Sequence, residues 1–205
     1  MSITIWQLAV GGFDHNFSYL AVDAKGEALL VDPTGDAEVI RQAVEAAGEI
    51  TARYILLTHG HRDHTQAVEE ALRFFPAEVI AHPEHPLAGQ IHLADGQLLP
   101  FGGIAIEAIF TPGHSPDSVC YRFTDNSALF TGDVLFVGCI GFGRPSEMYN
   151  SLMKKIFPLS DTLLVYSGHD YGPVAFRSLG EEKKLNPYLN CESLNEFKSM
   201  LKHLK

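Results

Sequence analysis

Four apolar runs in this sequence each break off into a short loop that carries a metal-ligand side chain. They are "YILLTHGHRDH", "IEAIFTPGH", "SALFTGD" and "TLLVYSGHD". The loop residues are His59, His61, Asp63 and His64, then His114, Asp133 and His169. The first loop constrains the chain most, because four ligand types fall within six residues. In extended chain, residues two apart point the same way, so His59 and His61 are placed to grip one ion together. A helix begins just beyond them, so Asp63 and His64 aim differently and suit a second ion. Neutral imidazole and carboxylate are ligands for divalent Zn, Fe or Mn. A carboxylate such as Asp133 has two oxygens and suits a bridge between two metals. Gly and Pro in "TPGH", "TGD" and "SGHD" permit the tight turns that set each side chain at a rim.

Taken singly, these residues have simpler readings. Asp63 is a favoured N-cap type, and His114, Asp133 and His169 are ordinary loop residues. The histidine cluster changes that weighting, because it gives the other three loops a common purpose. His15, His82, His85, His92 and His203 read as surface or loop residues, and Cys139 as a small packed side chain near the site.

The surrounding pattern is that of an α/β layered protein. Strand-like runs occupy Ile3–Val10, Phe17–Val22, Ala28–Val31 and Tyr54–Leu57, and further runs occupy Val79–Ala81, Gln97–Leu99, Ile104–Phe110, Val119–Phe123, Ala128–Thr131 and Thr162–Tyr166. A helix is expected over Ala37–Ala47, capped by Asp36, ended by Gly48, and burying Val39, Ile40, Ala43 and Val44. A second runs through Ala67, Val68, Ala71, Leu72 and Phe75 until Pro76 stops it. A third is expected around Glu147–Phe157, and irregular or helical chain follows to Asn186. The last helix has a capping box of Ser193 and Glu196 and a stripe of Leu194, Phe197, Leu201 and Leu204.

With 205 residues the chain is long enough for one domain with a substantial core. Its net charge of −10 argues against a nucleic-acid or anionic-membrane surface. Cys120, Cys139 and Cys191 are odd in number and form no C-x-x-C pair, so a reducing cytoplasm is expected rather than a disulfide framework. The opening "MSITIWQLAVGG" reads as a strand, not a signal peptide.

"THGHRDH", "TPGH", "TGD" and "SGHD", in this order, resemble the metallo-β-lactamase superfamily over almost the whole chain. The resemblance implies a single domain over residues 1–205, an αββα sandwich of two mixed sheets with helices on the outer faces. It implies that one metal takes His59, His61 and His114, that another takes Asp63, His64 and His169, and that Asp133 bridges them. The commonest class B lactamases carry a cysteine where Asp133 stands, which argues against antibiotic hydrolysis. "TGDVLFVGC", "EMYNSL" and "GHDY" look like the hydroxyacylglutathione hydrolase (glyoxalase II) branch, whereas "LGEEKKLNPYL" looks like the persulfide dioxygenase branch. The loop "IGFGRPS" departs from the hydrolases: Gly141 and Gly143 stand near the places of a basic residue and an aromatic, and Arg144 is its sole cation.

The implied function is hydrolysis of a thioester or ester by metal-bound hydroxide. Two divalent ions, zinc in this reading, would serve a small thiol-derived substrate, and Asp63 would orient the nucleophile while acting as ligand. Phe142, Arg144 and Tyr171 are the candidate substrate contacts. Two alternatives stay open: a mononuclear iron dioxygenase using His59, His114 and Asp133, and a non-catalytic scaffold stabilised by metal.

Overall fold

The computed structural model describes residues 2–87 and 91–202. A first sheet contains six strands in sequential order: β1 (Ile3–Gly11), β2 (Asn16–Asp23), β3 (Glu27–Val31), β4 (Thr51–Leu56), β5 (Glu78–Ala81) and β6 (Ile91–His92). Its first three strands are antiparallel and its last three join in parallel. The second sheet has the order β12 (Arg177–Ser178), β11 (Leu164–Ser167), β10 (Ala128–Gly132), β9 (Val119–Phe123), β8 (Ile104–Phe110) and β7 (Leu98–Phe101). Only its β10–β11 pair is parallel.

Alternation along the strands explains the layers. On β2, Phe17, Tyr19 and Ala21 face the core between the sheets, while Leu20 and Val22 join an outer apolar cluster. On β10, Ala128 and Phe130 face inward and Leu129 outward. The outer cluster of the first sheet includes Ile40 of α1 (Ala37–Ala46) and Val68 and Ala71 of α3 (Val68–Phe74). The outer cluster of the second sheet takes Met148 of α4 (Pro145–Asn150), Leu179 of α5 (Leu179–Leu185) and Phe197 and Leu201 of α6 (Leu194–Leu201). This is the expected α/β sandwich with helices outside two mixed sheets.

Local differences have local causes. Asp36 caps α1 by accepting from the Glu38 N–H, and Gly48 follows the helix at φ +83°. The second helix is broken in two: α2 (Arg62–Thr65) carries the ligand loop, and α3 starts after Ala67. The third begins at Pro145, whose missing N–H is harmless in a first turn, and widens into a π-helical turn over Ser151–Ile156. Ser193 accepts from the Glu196 N–H as expected, but the Glu196 carboxylate turns to the Glu192 N–H, so the box is half formed. A complete capping box sits instead at Ser178 and Glu181, opening α5. His85 is a loop residue but is buried. His203 and Leu204 lie outside the described residues.

Candidate metal centre

The site occupies one edge of the sandwich, at the carboxyl ends of β4, β10 and β11 and in the β8–β9 loop. The chain leaves β4 extended through His59 and His61, and both rings turn to one point: His59 Nε2 lies 3.0 Å from His61 Nδ1. His114 Nε2 lies 3.0 Å from the same His61 atom. His61 is the N-cap position of α2, with no side-chain cap bond, and Asp63 sits inside the first turn rather than at the cap. That turn sends Asp63 and His64 to a second point, where they meet His169. The Nε2 atoms of His64 and His169 are 3.2 Å apart, and Asp63 Oδ2 lies 3.5 Å from His169 Nε2.

Asp133 stands between the two groups. Its Oδ1 is 3.2 Å from His64 Nε2, and its Oδ2 is 3.2 Å from His169 Nε2 and 3.5 Å from His114 Nε2. Ligand atoms of His59, His61 and His114, and separately of Asp63, His64 and His169, lie within 4.8 Å of one another. All seven sequence-derived ligand candidates therefore come together.

The donor set calls for a cation. The proton positions follow from the partners. His169 Nδ1 faces the Asp14 carbonyl at 2.7 Å and His114 Nδ1 faces the Phe142 carbonyl at 2.8 Å, so both rings donate there. His64 Nδ1 faces Asp32 Oδ2 at 2.9 Å. Thr58 Oγ1 donates to Asp32 at 2.6 Å and is left to accept from His59 Nδ1 at 3.1 Å. When neutral, each of these rings then aims an Nε2 lone pair inward. Asp133 Oδ1 is buried without a hydrogen-bond partner, although His64 Nε2 is close enough for an ion pair. Lone pairs and carboxylates crowded this way repel unless positive charge lies among them, and a divalent metal supplies it.

Titration follows the same crowding. Burial, and then the neighbouring His64, hold His59 well below its ordinary value. Burial alone would lower His64 too, but the Asp133 carboxylate, with Asp32 behind the ring, raises it to about 10. Burial would raise Asp133, yet His64 and His169 hold it well below the usual carboxylate range.

A family model for the metallo-beta-lactamase superfamily matches residues 11–169. The chain belongs to the metallo-beta-lactamase superfamily. It is 29% identical to the hydroxyacylglutathione hydrolase GloC of Haemophilus influenzae, covering 91% of this chain and 98% of that protein. It is 32% identical to the mitochondrial persulfide dioxygenase ETHE1 of Homo sapiens, over 92% of this chain and 76% of that one. The crystal structure of ETHE1 from Myxococcus xanthus superposes with a TM-score of 0.86 at 30% identity, covering 98% of this chain and 91% of that chain.

In this metallo-beta-lactamase fold the metal edge opens into a cleft of about 640 Å³, lined by Asp14, His114, Asp133, Phe136, Cys139, Ile140, Gly141, Phe142 and Tyr171. Phe142 and Tyr171, two of the three candidate substrate contacts, line the cleft. Arg144 is not among the lining residues; its guanidinium pairs with Glu147 at 3.2 Å. Tyr171 stacks on His169 with ring centroids 4.9 Å apart and donates its hydroxyl to the Asp14 carboxylate. Burial and that carboxylate raise the phenol. Cys139 lines the cleft without joining a ligand group; burial, and then Glu182, push its thiol up.

Sequence reasoning missed Asn16, Asp32 and Thr58. Asn16 Nδ2 donates to the Asp63 carbonyl at 3.0 Å and to its Oδ2 at 3.3 Å. Asp32 is 2% exposed at φ +45° and accepts the Thr58 N–H at 2.8 Å as well as the two side-chain bonds above. A signal for Asp32 exists: "LLVDPTG" is a fifth apolar run ending in a carboxylate.

Proposed function

We propose that this chain is a metal-dependent hydrolase of thioesters or esters, working with two divalent ions for which zinc suits the donors. The observation that carries the reading is the pair of three-ligand groups with the two Asp133 oxygens between them. His59, His61 and His114 would hold one ion, Asp63, His64 and His169 would hold the other, and the Asp133 carboxylate would be shared between them. When bound, such ions supply Lewis acidity toward a carbonyl and acidify water near neutral pH.

The rest of the chemistry belongs to the protein. Asp63, pinned by Asn16, orients the attacking water. Phe136, Ile140 and Phe142 wall the acyl group from bulk solvent. Tyr171 keeps its phenol proton, donates it in a hydrogen bond to the Asp14 carboxylate, and fixes the His169 ring by stacking. A thiolate leaving group needs no dedicated acid, because free thiols have a pKa of about 8.5. The similarity to a hydroxyacylglutathione hydrolase over 98% of its length supports a small thiol-derived substrate. Among the described residues no helix is long and apolar enough to cross a membrane, and the three cysteines are free. The free thiols suit a reducing compartment such as the cytoplasm.

A second reading has its own support. His59, His114 and Asp133 form the two-histidine, one-carboxylate set suited to a single non-haem iron, and the match to the Myxococcus xanthus ETHE1 structure is high. One experiment separates the readings: metal content of protein purified without added metal, with thioester and oxygen-uptake assays. Two zinc per chain with thioester turnover is expected. One iron with persulfide-dependent oxygen uptake would assign the dioxygenase, and bound metal with neither activity would assign a scaffold.

A further inference from the structure

The cleft over the metal centre carries side-chain charge of one sign. Apart from the candidate metal ligands, the one charged group lining it is the carboxylate of Asp14, and no lysine or arginine is among its lining residues. Asp14 is set firmly in that wall. Its N–H donates to Asn16 Oδ1 at 3.3 Å, its carbonyl accepts from His169 Nδ1 at 2.7 Å, and its Oδ2 accepts the Tyr171 hydroxyl. Burial and the carboxylate hold the proton on the phenol, so the Asp14–Tyr171 pair carries a full negative charge. A carboxylate has lone pairs for several donors, and the phenol occupies one of them.

The rest of the wall is aromatic. His169 stacks on one face of Tyr171, with centroids 4.9 Å apart and planes 3° from parallel. Phe136 stands across both rings, 4.9 Å from Tyr171 and 5.8 Å from His169. Being near both, it lies beside the stack and not on the far face of Tyr171. That face is covered by neither ring, and Tyr171 is 45% exposed. Phe142 adds a second open ring to the same cleft. Electron-rich ring faces beside a carboxylate attract an ammonium group and offer nothing to an anion.

We propose that Asp14, with the rings of Tyr171, Phe136 and Phe142, forms a subsite for an ammonium group carried by the acyl-thiol substrate, close to the carbonyl at the metal centre. The identity of the reacting end rests on the hydrolase reading. Asp14 is a specificity determinant and takes no part in bond breaking. The ammonium belongs either to the thiol part or to the acyl part, and the chemistry that recognises it is the same.

The test is calorimetric binding of non-hydrolysable S-alkyl thioethers to the zinc-loaded full chain. Each ligand ends in trimethylammonium, which cannot coordinate a metal, or in its uncharged tert-butyl isostere. One pair carries the group on the thiol side and a second pair on the acyl side. The wild type should bind the cation about fivefold or more tighter than the isostere in at least one pair, and that pair identifies the side. Raising the salt to about 1 M should shrink the preference. Asp14→Asn, which can still accept from Tyr171, should lose most of the preference and keep its tert-butyl affinity within about twofold. Glu70→Gln removes the same charge from an exposed position on α3 and should behave as wild type. Equal binding within both pairs, a preference indifferent to salt, or an unchanged preference in Asp14→Asn would each overturn the subsite. Turnover is read separately with thioesters of the same skeletons. Cation preference without turnover sinks the hydrolase reading and leaves the subsite, whereas turnover without preference does the reverse.

Discussion

The Nδ1 atom of His64 lies 2.9 Å from Oδ2 of Asp32, a carboxylate held at the end of β3 and 2% exposed. The contact orients the inward Nε2 and raises the basicity of the ring. Through Thr58 the same carboxylate also steadies His59. Asp32→Asn should keep the backbone, since asparagine tolerates the left-handed φ of +45°. It should weaken metal binding roughly 10- to 100-fold, the usual cost of losing an outer partner of a ligand. Competition against a chelator of known affinity measures this, and unchanged affinity would remove Asp32 from the centre's support.

His59→Ala should lose metal and activity together, because His59 shares one group with His61 and His114 and also lies within ligand distance of His64 and Asp133. Full metal content with normal turnover would refute the ligand assignment.

Gly168→Ala should damage the centre without adding any polar group. A Cβ at this position would lie 2.3 Å from Asp133 Oδ1 and 2.6 Å from His64 Cε1. The Asp133 carboxylate must move, and metal content per chain should fall while the far-ultraviolet circular dichroism spectrum stays native. Metal content equal to wild type would mean the carboxylate has room to spare.

The stability of the metal-free chain should peak near neutral pH. The folded-state pKa of His64, about 10, lies above its ordinary 6.5, so its contribution is complete below about pH 6.5 and is lost as pH rises through about 10. His59 acts oppositely. Its depressed pKa means the unfolded chain takes up a proton that the folded chain refuses as pH falls below about 6.5. Bound metal fixes the rings deprotonated, so uptake at neutral pH should release protons and the apparent metal affinity should rise with pH. Melting curves with and without chelator, and proton release on metal addition, test both statements.

Glu182→Ala should loosen the cleft wall. This fully buried carboxylate accepts the Gly138 N–H and the Asn186 amide, each at 3.0 Å, and pairs with Arg177 at 3.1 Å. Asn186 in turn donates to the Cys139 carbonyl at 3.0 Å. Removing the hub leaves buried donors unmet and should cost about 2–4 kcal/mol of stability. KM should rise more than kcat falls, because the 138–139 segment borders the cleft while the metal ligands lie elsewhere. Equal loss in both would mean that the loop positions the chemistry itself.

Much of this molecule was legible as sequence because the informative features are local. Apolar runs mark strands. His59 and His61 two residues apart in extended chain must face one way, and a helix starting at once beyond them must turn Asp63 and His64 elsewhere. The ligand residues and the layered α/β class follow from such short-range rules. What joins His114, Asp133 and His169 to that loop is contact between strands far apart in the chain, and spacing carries no record of it. The packing of the two sheets decided which ring nitrogen faces inward, and it brought Asn16, Thr58 and Asp32 behind the ligands. It also left Arg144 on Glu147, outside the cleft that Phe142 and Tyr171 line. Side-chain type and spacing act within a few residues, whereas a hydrogen bond or a charge pair is set by distance through space, and only the folded sandwich supplies that distance.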